Sequence, residues 1–398
     1  MKKIMTKIFL TLSIFLNFGC NYEVYYKSVT DLSKVRAKTS MKPFEQINDP
    51  IVITMPVYEK MALFGNENMG TYNKRAGDMF VVYDWENNRI HDWCFFEGEH
   101  GWSNFRAVEM GMPVKYYDAG ETIGCLSSDG KLTTYENPVK GTFANLNNNQ
   151  KLKSRYGILN TEGYSNGKKE YRINIFDSET GIVNVEQIKL DCDYSYLFYP
   201  FADEEGNYWI CNINDDKNWL NKIDGENNTI EKYFLENSKE ESIKYYVQET
   251  FKNYIVLEEA DYSKKKNNCI DNIFLFDVRN KQKMQINLNS NTNYSISYFI
   301  SVSVNDDLYA IFLADRDCDE TQWREAIELY KIDFEKKELN YINYHPNFDM
   351  TETVYSRGSR IYFLNSRNIQ HFICTYYDTE TGEWGEEFSI TQEEILEM

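Results

Sequence analysis

The sequence predicts an all-β fold, a single β-propeller with seven four-stranded blades, and two observations predict it. Short runs of Val, Ile, Tyr and Phe are separated by Asn, Asp and Gly, and only 7 of the 398 residues are proline. This composition is typical of many short strands. A hairpin signature also recurs along the chain, and it is clearest in YYDTETGEWGEEF at 376–388, where Asp378 begins a turn that closes on Gly382.

The recurring hairpins set the predicted blade number. A turn of this length favours Asp first, because its carboxylate accepts nearby backbone N–H groups, and Gly last, where φ is positive. Seven such turns are predicted, and they begin at Asp84, Glu136, Asp177, Asp224, Asp277, Asp333 and Asp378. Their separations of 41 to 56 residues fit a four-stranded propeller blade better than a solenoid repeat. Six blades is the alternative, because the first unit (47–97) is the least regular.

The last hairpin carries a family resemblance. DTETG followed by Trp384 resembles the hairpin and docking tryptophan of the quinoprotein-type propeller repeat. The whole pattern, over residues 47–390, is similar to the superfamily of bacterial PQQ-like and WD40-like propeller lipoproteins. The resemblance implies blade geometry and no particular activity. No cofactor is expected, because the tryptophan follows the turn in one unit only and such repeats occur in propellers without a quinone.

Individual strands can be placed in the later units. In the sixth unit, residues 295–304, 307–314, 326–333 and 338–344 are the predicted strands, from inner to outer. The first two are nearly apolar, as expected where both faces of a sheet pack on neighbouring blades, and the outer strand is more polar. Helical spacing is found only at 391–398, which predicts one frayed turn.

Residues 1–19 predict a signal peptide, since three lysines precede an apolar run at 8–18 that is too short to span a bilayer. The run ends in LNFGC, which resembles a bacterial lipobox, although the usual leucine three residues before the cysteine is Asn17 here. The resemblance implies that Cys20 is lipidated, so that an exported protein is anchored to the bacterial membrane, facing the periplasm or the cell surface. The alternative is an uncleaved segment with an ordinary buried Cys20.

Residues 20–45 are polar and predict a flexible tether between this anchor and a propeller at 46–398. The formal charge of −19 becomes −22 when the three lysines of the signal peptide are removed. Such an acidic chain disfavours nucleic acid, and attachment to the membrane is expected through the N-terminal lipid only. The seven remaining cysteines form no CxxC pair and predict buried free thiols. A monomer is expected.

Long loops indicate where a partner would bind. Four predicted connections between second and third strands are long, at 65–78, 161–170, 259–272 and 314–325, and in a propeller they share one face. The inner-to-second turns and the hairpins are short and share the other face. The binding candidates on the long loops are Tyr72, Tyr164, Tyr262, Asp315, Arg316, Asp317, Asp319 and Trp323.

The fourth of these loops is the densest in charge. Asp315, Asp317 and Asp319 have the opening spacing of a calcium loop, but Glu320 replaces the required glycine and Ala326 the closing glutamate. A solvated acidic loop is therefore favoured over a metal site. Trp323 next to an arginine is typical of interface hot spots, and the alternative is packing back onto the propeller rim.

Function is less constrained than fold. The four histidines have no metal-ligand spacing, and no nucleophile elbow, P-loop or dinucleotide fingerprint occurs. Ser127-Ser128-Asp129-Gly130 predicts a tight turn. The favoured hypothesis is a non-enzymatic lipoprotein that binds a protein or glycan through its long-loop face. One alternative is a carbohydrate-active hydrolase or lyase with carboxylates around the central channel. A second alternative is a scaffold subunit of an envelope assembly.

Overall fold

The protein is represented by a computed structural model, and its described residues form two short helices and seven antiparallel sheets. The described ranges are 32–48, 50–62, 71–97, 102–103, 113–116, 122–136, 142–144, 155–163, 169–177, 182–192, 201–203, 205–224, 229–237, 243–261, 270–287, 295–315, 324–349, 353–365 and 371–398. Helix α1 (Leu32–Ala37) precedes the sheets and helix α2 (Gln392–Glu397) follows them.

Each sheet takes its strands in chain order, except that the fifth strand of sheet 7 pairs with the third. Sheet 1 contains β1 (Ile51–Ala62), β2 (Thr71–Asp84) and β3 (Arg89–Glu97). Sheet 2 contains β4 (Trp102–Ser103), β5 (Pro113–Tyr116), β6 (Thr122–Leu126) and β7 (Leu132–Glu136). Sheet 3 contains β8 (Thr142–Ala144), β9 (Arg155–Gly163), β10 (Lys169–Asp177) and β11 (Ile182–Cys192). Sheet 4 contains β12 (Phe201–Ala202), β13 (Tyr208–Asn214), β14 (Lys217–Ile223) and β15 (Ile230–Asn237).

The last three sheets follow the same plan. Sheet 5 contains β16 (Ile243–Phe251), β17 (Tyr254–Asp261), β18 (Ile270–Asp277) and β19 (Gln282–Ile286). Sheet 6 contains β20 (Ser295–Val304), β21 (Asp307–Asp315), β22 (Arg324–Asp333) and β23 (Glu338–Asp349). Sheet 7 contains β24 (Thr353–Arg357), β25 (Arg360–Asn365), β26 (His371–Asp378), β27 (Glu383–Trp384) and β28 (Phe388–Thr391). The predicted strands of the sixth unit are confirmed almost residue for residue.

Successive sheets share their hydrophobic cores. The apolar faces of sheets 4 and 5, of 5 and 6, and of 6 and 7 pack together, and sheet 7 packs on sheet 1. Buried members of these four shared cores, one from each sheet, are Leu220 and Leu257, Val256 and Phe312, Ile311 and Phe363, and Phe372 and Val81. The first strands β12, β16, β20 and β24 also contact one another in sequence. An all-β fold is therefore confirmed, and the arrangement of four-stranded sheets is consistent with a propeller.

The connections divide the sheets into two ends. Two-residue turns join the first and second strands at 252–253, 305–306 and 358–359, and the Asp-led hairpins follow the third strands at this same end. We call it the hairpin end. Connections between second and third strands lie at the opposite end, the loop end, because the direction of an antiparallel chain alternates. In sheet 4 that connection is a two-residue turn, Asp215-Asp216, with both residues at positive φ.

One predicted hairpin is wrong. The connection after Glu136 does not join two strands of one sheet, because β7 pairs with β6 whereas β8 pairs with β9 of sheet 3. The last hairpin of sheet 2 is instead the turn between Leu126 and Leu132. There the Asp129 carboxylate accepts the Lys131 N–H at 3.2 Å, and Gly130 adopts a φ of +82°. This confirms that Ser127-Ser128-Asp129-Gly130 forms a tight turn.

The N-terminal segment already packs on the sheets within residues 32–45, which the sequence analysis assigned to the flexible tether. Within the segment 32–47, Val35, Met41 and Phe44 are buried. The Lys38 carbonyl accepts the Phe95 N–H at 2.7 Å, and Phe44 N–H donates to Ser128 at 2.8 Å. The segment thus covers the outer edge of the three-stranded sheet 1 and reaches the turn of sheet 2. This packing was not predicted, because three widely spaced apolar residues in a polar stretch show neither helical nor strand periodicity.

The C-terminal helix is also more ordered than the predicted frayed turn. Thr391 and Glu394 form a reciprocal capping box at the start of α2. Ile395 is fully buried between sheets 1 and 7, and the Gln392 amide donates to the Pro56 carbonyl at 2.9 Å. Helix α2 therefore joins the two ends of the chain. No helix in the described ranges is long and apolar enough to cross a membrane.

Candidate functional site

The residues predicted to bind a partner lie at the loop end, where most side chains fall outside the described residues. Tyr164, Tyr262 and residues 316–323, which include Arg316, Asp317, Asp319 and Trp323, are outside the described ranges, as is Cys20. Asp315 is the last residue of β21, so the acidic loop does join second and third strands. Tyr72 lies within β2 and not in a loop, because residues 71–78 pair with β1. The long-loop binding surface remains a prediction.

The described residues instead bring several polar side chains together between sheets 5 and 6. We call this place the acidic crevice and define it by Glu249, Glu258 and Ser301. Glu249 lies directly opposite Val256 in the sheet 5 register, and Glu258 follows Val256 by two positions. Val256 packs on sheet 6. Because paired and alternate residues share one face of a sheet, both carboxyl groups face sheet 6.

Ser301 faces the same space from the other side. It pairs with Ala310, which is buried against sheet 5. The pairs can be counted from the turn at 252–253 in sheet 5 and from the turn at 305–306 in sheet 6. Glu249 is then in the third pair, Ser301 in the fourth and Glu258 in the fifth. The two turns adjoin, since the Lys252 ammonium donates to the Asp306 carbonyl at 2.9 Å. Ser301 therefore lies across the crevice at a level between the two glutamates.

Glu258 is a group in this crevice whose pKa lies near neutral pH. Its carboxyl is half-buried and accepts a hydrogen bond from the Gln248 amide. Burial raises the pKa of Glu258 to about 7, and the Gln248 hydrogen bond lowers it only in part. Near neutral pH the protonated and ionised forms of this carboxyl group are therefore both populated, so a bound ligand can change its charge.

Ser301 and Glu249 are more deeply buried. Ser301 is 5% exposed, and its hydroxyl makes no hydrogen bond to any described group. Glu249 is 1% exposed, and one of its oxygens accepts the Thr250 N–H at 2.9 Å. A buried hydroxyl without a partner costs about 1–3 kcal/mol, so such groups in native proteins call for an explanation. Ser301 has a hydrogen bond to offer to something in the crevice.

The opposite face of sheet 5 carries a second polar cluster, whose side chains bond to one another. The Tyr245 hydroxyl donates to Glu259, whose other oxygen accepts the Asn272 amide at 2.7 Å. The Lys283 ammonium donates to the Tyr245 oxygen at 2.6 Å and forms a 3.2 Å ion pair with Glu236 of sheet 4. Burial, with the Glu259 hydrogen bond, raises the pKa of Tyr245. This network links sheet 5 to sheet 4 through the Lys283–Glu236 ion pair.

The sequence analysis did not identify the crevice residues. The one available signal was the pair Gln248-Glu249 inside the otherwise apolar strand IKYYVQETF. A bulge between Val247 and Glu249 shifts the register there, and a sequence cannot show which face each residue then takes. Among the described residues no group of three His, Cys, Asp or Glu side chains could hold a metal ion. The buried free thiols are confirmed for Cys94, Cys211 and Cys374.

These features define an all-β protein built of propeller-like sheets with a polar crevice between two of them. The cobalt-substituted apocarotenoid oxygenase from Synechocystis is similar in fold, with a TM-score of 0.50 and 8% sequence identity over 92% of this chain and 97% of that one. A putative 6-phosphogluconolactonase from Bacteroides uniformis gives a TM-score of 0.48 at 11% identity, covering 86% of this chain and 97% of that one.

The WD40 domain of SCAP from fission yeast gives a TM-score of 0.39 at 10% identity, covering 92% of this chain and 90% of that one. No family model matches the chain, and no curated protein sequence matches it significantly. At these identities the likeness concerns the fold alone.

Proposed function

We propose that this protein is a lipid-anchored β-propeller of seven blades that binds a protein or glycan partner at its loop end. Cys20 would carry the lipid, and the polar residues after it would hold the propeller away from the bacterial membrane. Seven described sheets, with the first packed on the last, support the blade number.

The division of the molecule into two unlike ends carries this proposal. The hairpin end consists of two-residue turns and short Asp-led hairpins. It therefore offers a partner few residues that can change conformation on binding. The connections at 63–70, 164–168, 262–269 and 316–323 all leave the sheets at the loop end. Binding residues concentrate on loops that a rigid scaffold positions. The predicted Trp323 and the acidic residues around it belong to one of these connections.

The proposal is tested by shortening a loop without disturbing its sheet. Residues 316–324 would be replaced by a two-residue Asn-Gly turn, which can join β21 and β22 because Asp315 pairs with Glu325. The matched control replaces Glu335 and Lys336, exposed residues of the sheet 6 hairpin at the opposite end, with Ala. Crosslinked partners and glycan-array binding should be lost in the loop variant and kept in the control.

Fractionation of bacterial cells that express the protein tests the lipid anchor. Cys20→Ala should move the protein from the membrane fraction to the soluble fraction, while binding to the isolated partner is retained. Partner and glycan binding that survive shortening of each of the four long loops would contradict the loop-end proposal. A Cys20→Ala protein that stays in the membrane fraction would contradict lipid anchoring alone.

A further inference from the structure

We infer that the acidic crevice between sheets 5 and 6 binds a small organic ammonium ion, independently of the partner at the loop end. The ligand class is an aliphatic amine or diamine with a charged –NH₃⁺ group. The groups that would receive it are the carboxyl of Glu258, the hydroxyl of Ser301 and the carboxyl of Glu249.

The hydrogen-bonding character of the crevice is the first argument. Ionised carboxylates only accept hydrogen bonds, and a serine hydroxyl accepts as well as donates. Ser301 is buried and makes no hydrogen bond to the described groups, although it lies between the levels of two carboxyl groups. A group with several N–H donors could bond to Ser301 and to the Glu258 carboxyl at once. An ammonium ion has three donors and is the simplest such group.

Charge is the second argument. Glu328 of β22 is also buried and faces sheet 5, since it alternates with Tyr330, a member of the core shared by these sheets. Lys244, which is buried on the crevice face of β16, is the one cation among these residues. Three carboxyl groups against one lysine give the crevice a negative charge when they are ionised. A cation is attracted more strongly there than at the surface, because the effective dielectric constant is lower.

Access is the third argument. Tyr246, Gln248 and Glu258 are half-buried, whereas the apolar residues between and beside them, such as Val247 and Leu257, are buried. The partial exposure of Glu258 itself gives a small ligand a route to its carboxyl group. A small ligand could enter by this route, and a protein or a polysaccharide chain is too large to fill the space between two packed sheets.

Binding by such an ion would be linked to proton release. An adjacent positive charge favours the ionised form of a carboxyl group, so it would lower the pKa of Glu258 from about 7. Between pH 6 and pH 7, binding should therefore release up to about one proton per site, and the affinity should rise with pH over this interval.

The test is isothermal titration calorimetry on the full mature chain with 1,4-diaminobutane as the probe. Wild type should bind the diamine, and Glu258→Gln should weaken binding by at least about tenfold, because a charged hydrogen bond is removed. Ser301→Ala should weaken it by about three- to tenfold. Glu335→Gln, at an exposed position of the hairpin end, is the matched control and should bind within about twofold of wild type.

Two further measurements complete the design. Titrations at pH 6.5 in two buffers of different ionisation enthalpy count the released protons, and the count should fall to near zero in Glu258→Gln. Glucose and CaCl₂ are titrated as alternative ligands. Binding of glucose or Ca²⁺ in place of the diamine, no binding of the diamine, or diamine binding unchanged in Glu258→Gln would each overturn the inference. Circular dichroism checks that each variant is folded. The loop-shortened protein should bind the diamine normally.

Discussion

At the scale of single residues, Glu258 differs from Asp92 in how its charge is compensated. Asp92 is also buried, but it accepts the Lys38 ammonium at 2.6 Å and the Lys42 N–H at 2.7 Å, and these bonds outweigh its burial and lower its pKa. Glu258 accepts one amide hydrogen bond, and burial raises its pKa to about 7. One carboxyl therefore stabilises the fold when ionised, while the other costs stability when ionised.

The raised pKa of Glu258 gives a definite sign for the pH dependence of stability. The folded protein holds this proton more tightly than the unfolded chain, whose glutamate pKa is near 4.3. The stability that the group contributes is present at low pH and is lost as pH rises towards 7. Glu258→Gln should therefore raise the free energy of unfolding relative to wild type by about 1–3 kcal/mol at pH 8, and by little at pH 4.5.

Urea denaturation from pH 4.5 to 8 measures this difference. Glu335→Gln, in the exposed hairpin of sheet 6, serves as the control, and its difference from wild type should stay small and flat. A Glu258→Gln protein that is no more stable than wild type at pH 8 would show that the carboxyl is well compensated when ionised. The acidic crevice would then have less negative character than its composition indicates.

At the scale of elements, the Asp-led hairpin is the repeating unit of the fold. The leading carboxylate accepts the backbone N–H two or three residues later at 2.9–3.3 Å, and the fifth residue adopts positive φ. The leading residues are Asp84, Asp277, Asp333 and Asp378, and the fifth residues are Asn88, Lys281, Lys337 and Gly382. Of these four hairpins, only the last has the glycine that positive φ favours, so the other three carry some backbone strain.

This strain predicts opposite effects of glycine at two equivalent positions. Gly382→Ala should destabilise the protein by about 1 kcal/mol, because φ is +75° and space is not the obstacle, with the nearest atom to an added Cβ at 3.7 Å. Lys337→Gly, at φ +58°, should stabilise by a few tenths to about 1 kcal/mol. Lys336→Gly is the control, since Lys336 is not at positive φ, and it should not stabilise. Urea unfolding of the three variants decides the matter, and a gain for Lys336→Gly equal to that for Lys337→Gly would refute the assignment to φ.

The sequence predicted those elements whose signals lie in neighbouring residues. The strands of sheets 6 and 7 follow from apolar runs that end in an Asp-led turn, as in β26 before Asp378. Trp384 docks as the repeat resemblance implied, with its ring 5.3 Å from Tyr377 and 4.9 Å from His345 of sheet 6. The connection after Glu136 has turn chemistry too, but strand pairing with another sheet decides its role. Pairing partners are non-local and leave no trace in a short window of sequence.

The candidate site was the least predictable part. Glu249 and Glu258 face the same space as Ser301 only because of a bulge in β16 and the packing of two sheets. The packed N-terminal segment was missed for a similar reason, since its buried residues Val35, Met41 and Phe44 fit pre-existing surfaces of sheets 1 and 2. The loop end could be inferred because loop length is visible in the sequence. Its individual residues stay predictions.

At the scale of the whole molecule, the seam between sheets 1 and 7 is made by packing in the part of the chain that the structure describes. The Tyr83 ring lies 5.2 Å from Phe372 and 5.4 Å from Phe388, and the described strands of sheet 1 all come from its own end of the chain. Helix α2 is part of the seam through the buried Ile395. Residues that lie 289 and 305 positions apart in sequence therefore pack against each other across the seam.

A seam of this kind predicts that one side chain of the last helix stabilises the first sheet. Ile395→Ala should lower the free energy of unfolding by about 2–5 kcal/mol, because it leaves a cavity between two sheets. Glu397→Ala, on the exposed side of the same helix, is the matched control and should have little effect. Hydrogen exchange locates the loss. If the seam closes a ring, amides of β1 to β3 and of β25 to β28 should both exchange faster in Ile395→Ala. If the sheets formed an open row instead, the first sheet would keep its protection, and faster exchange would be confined to sheet 7.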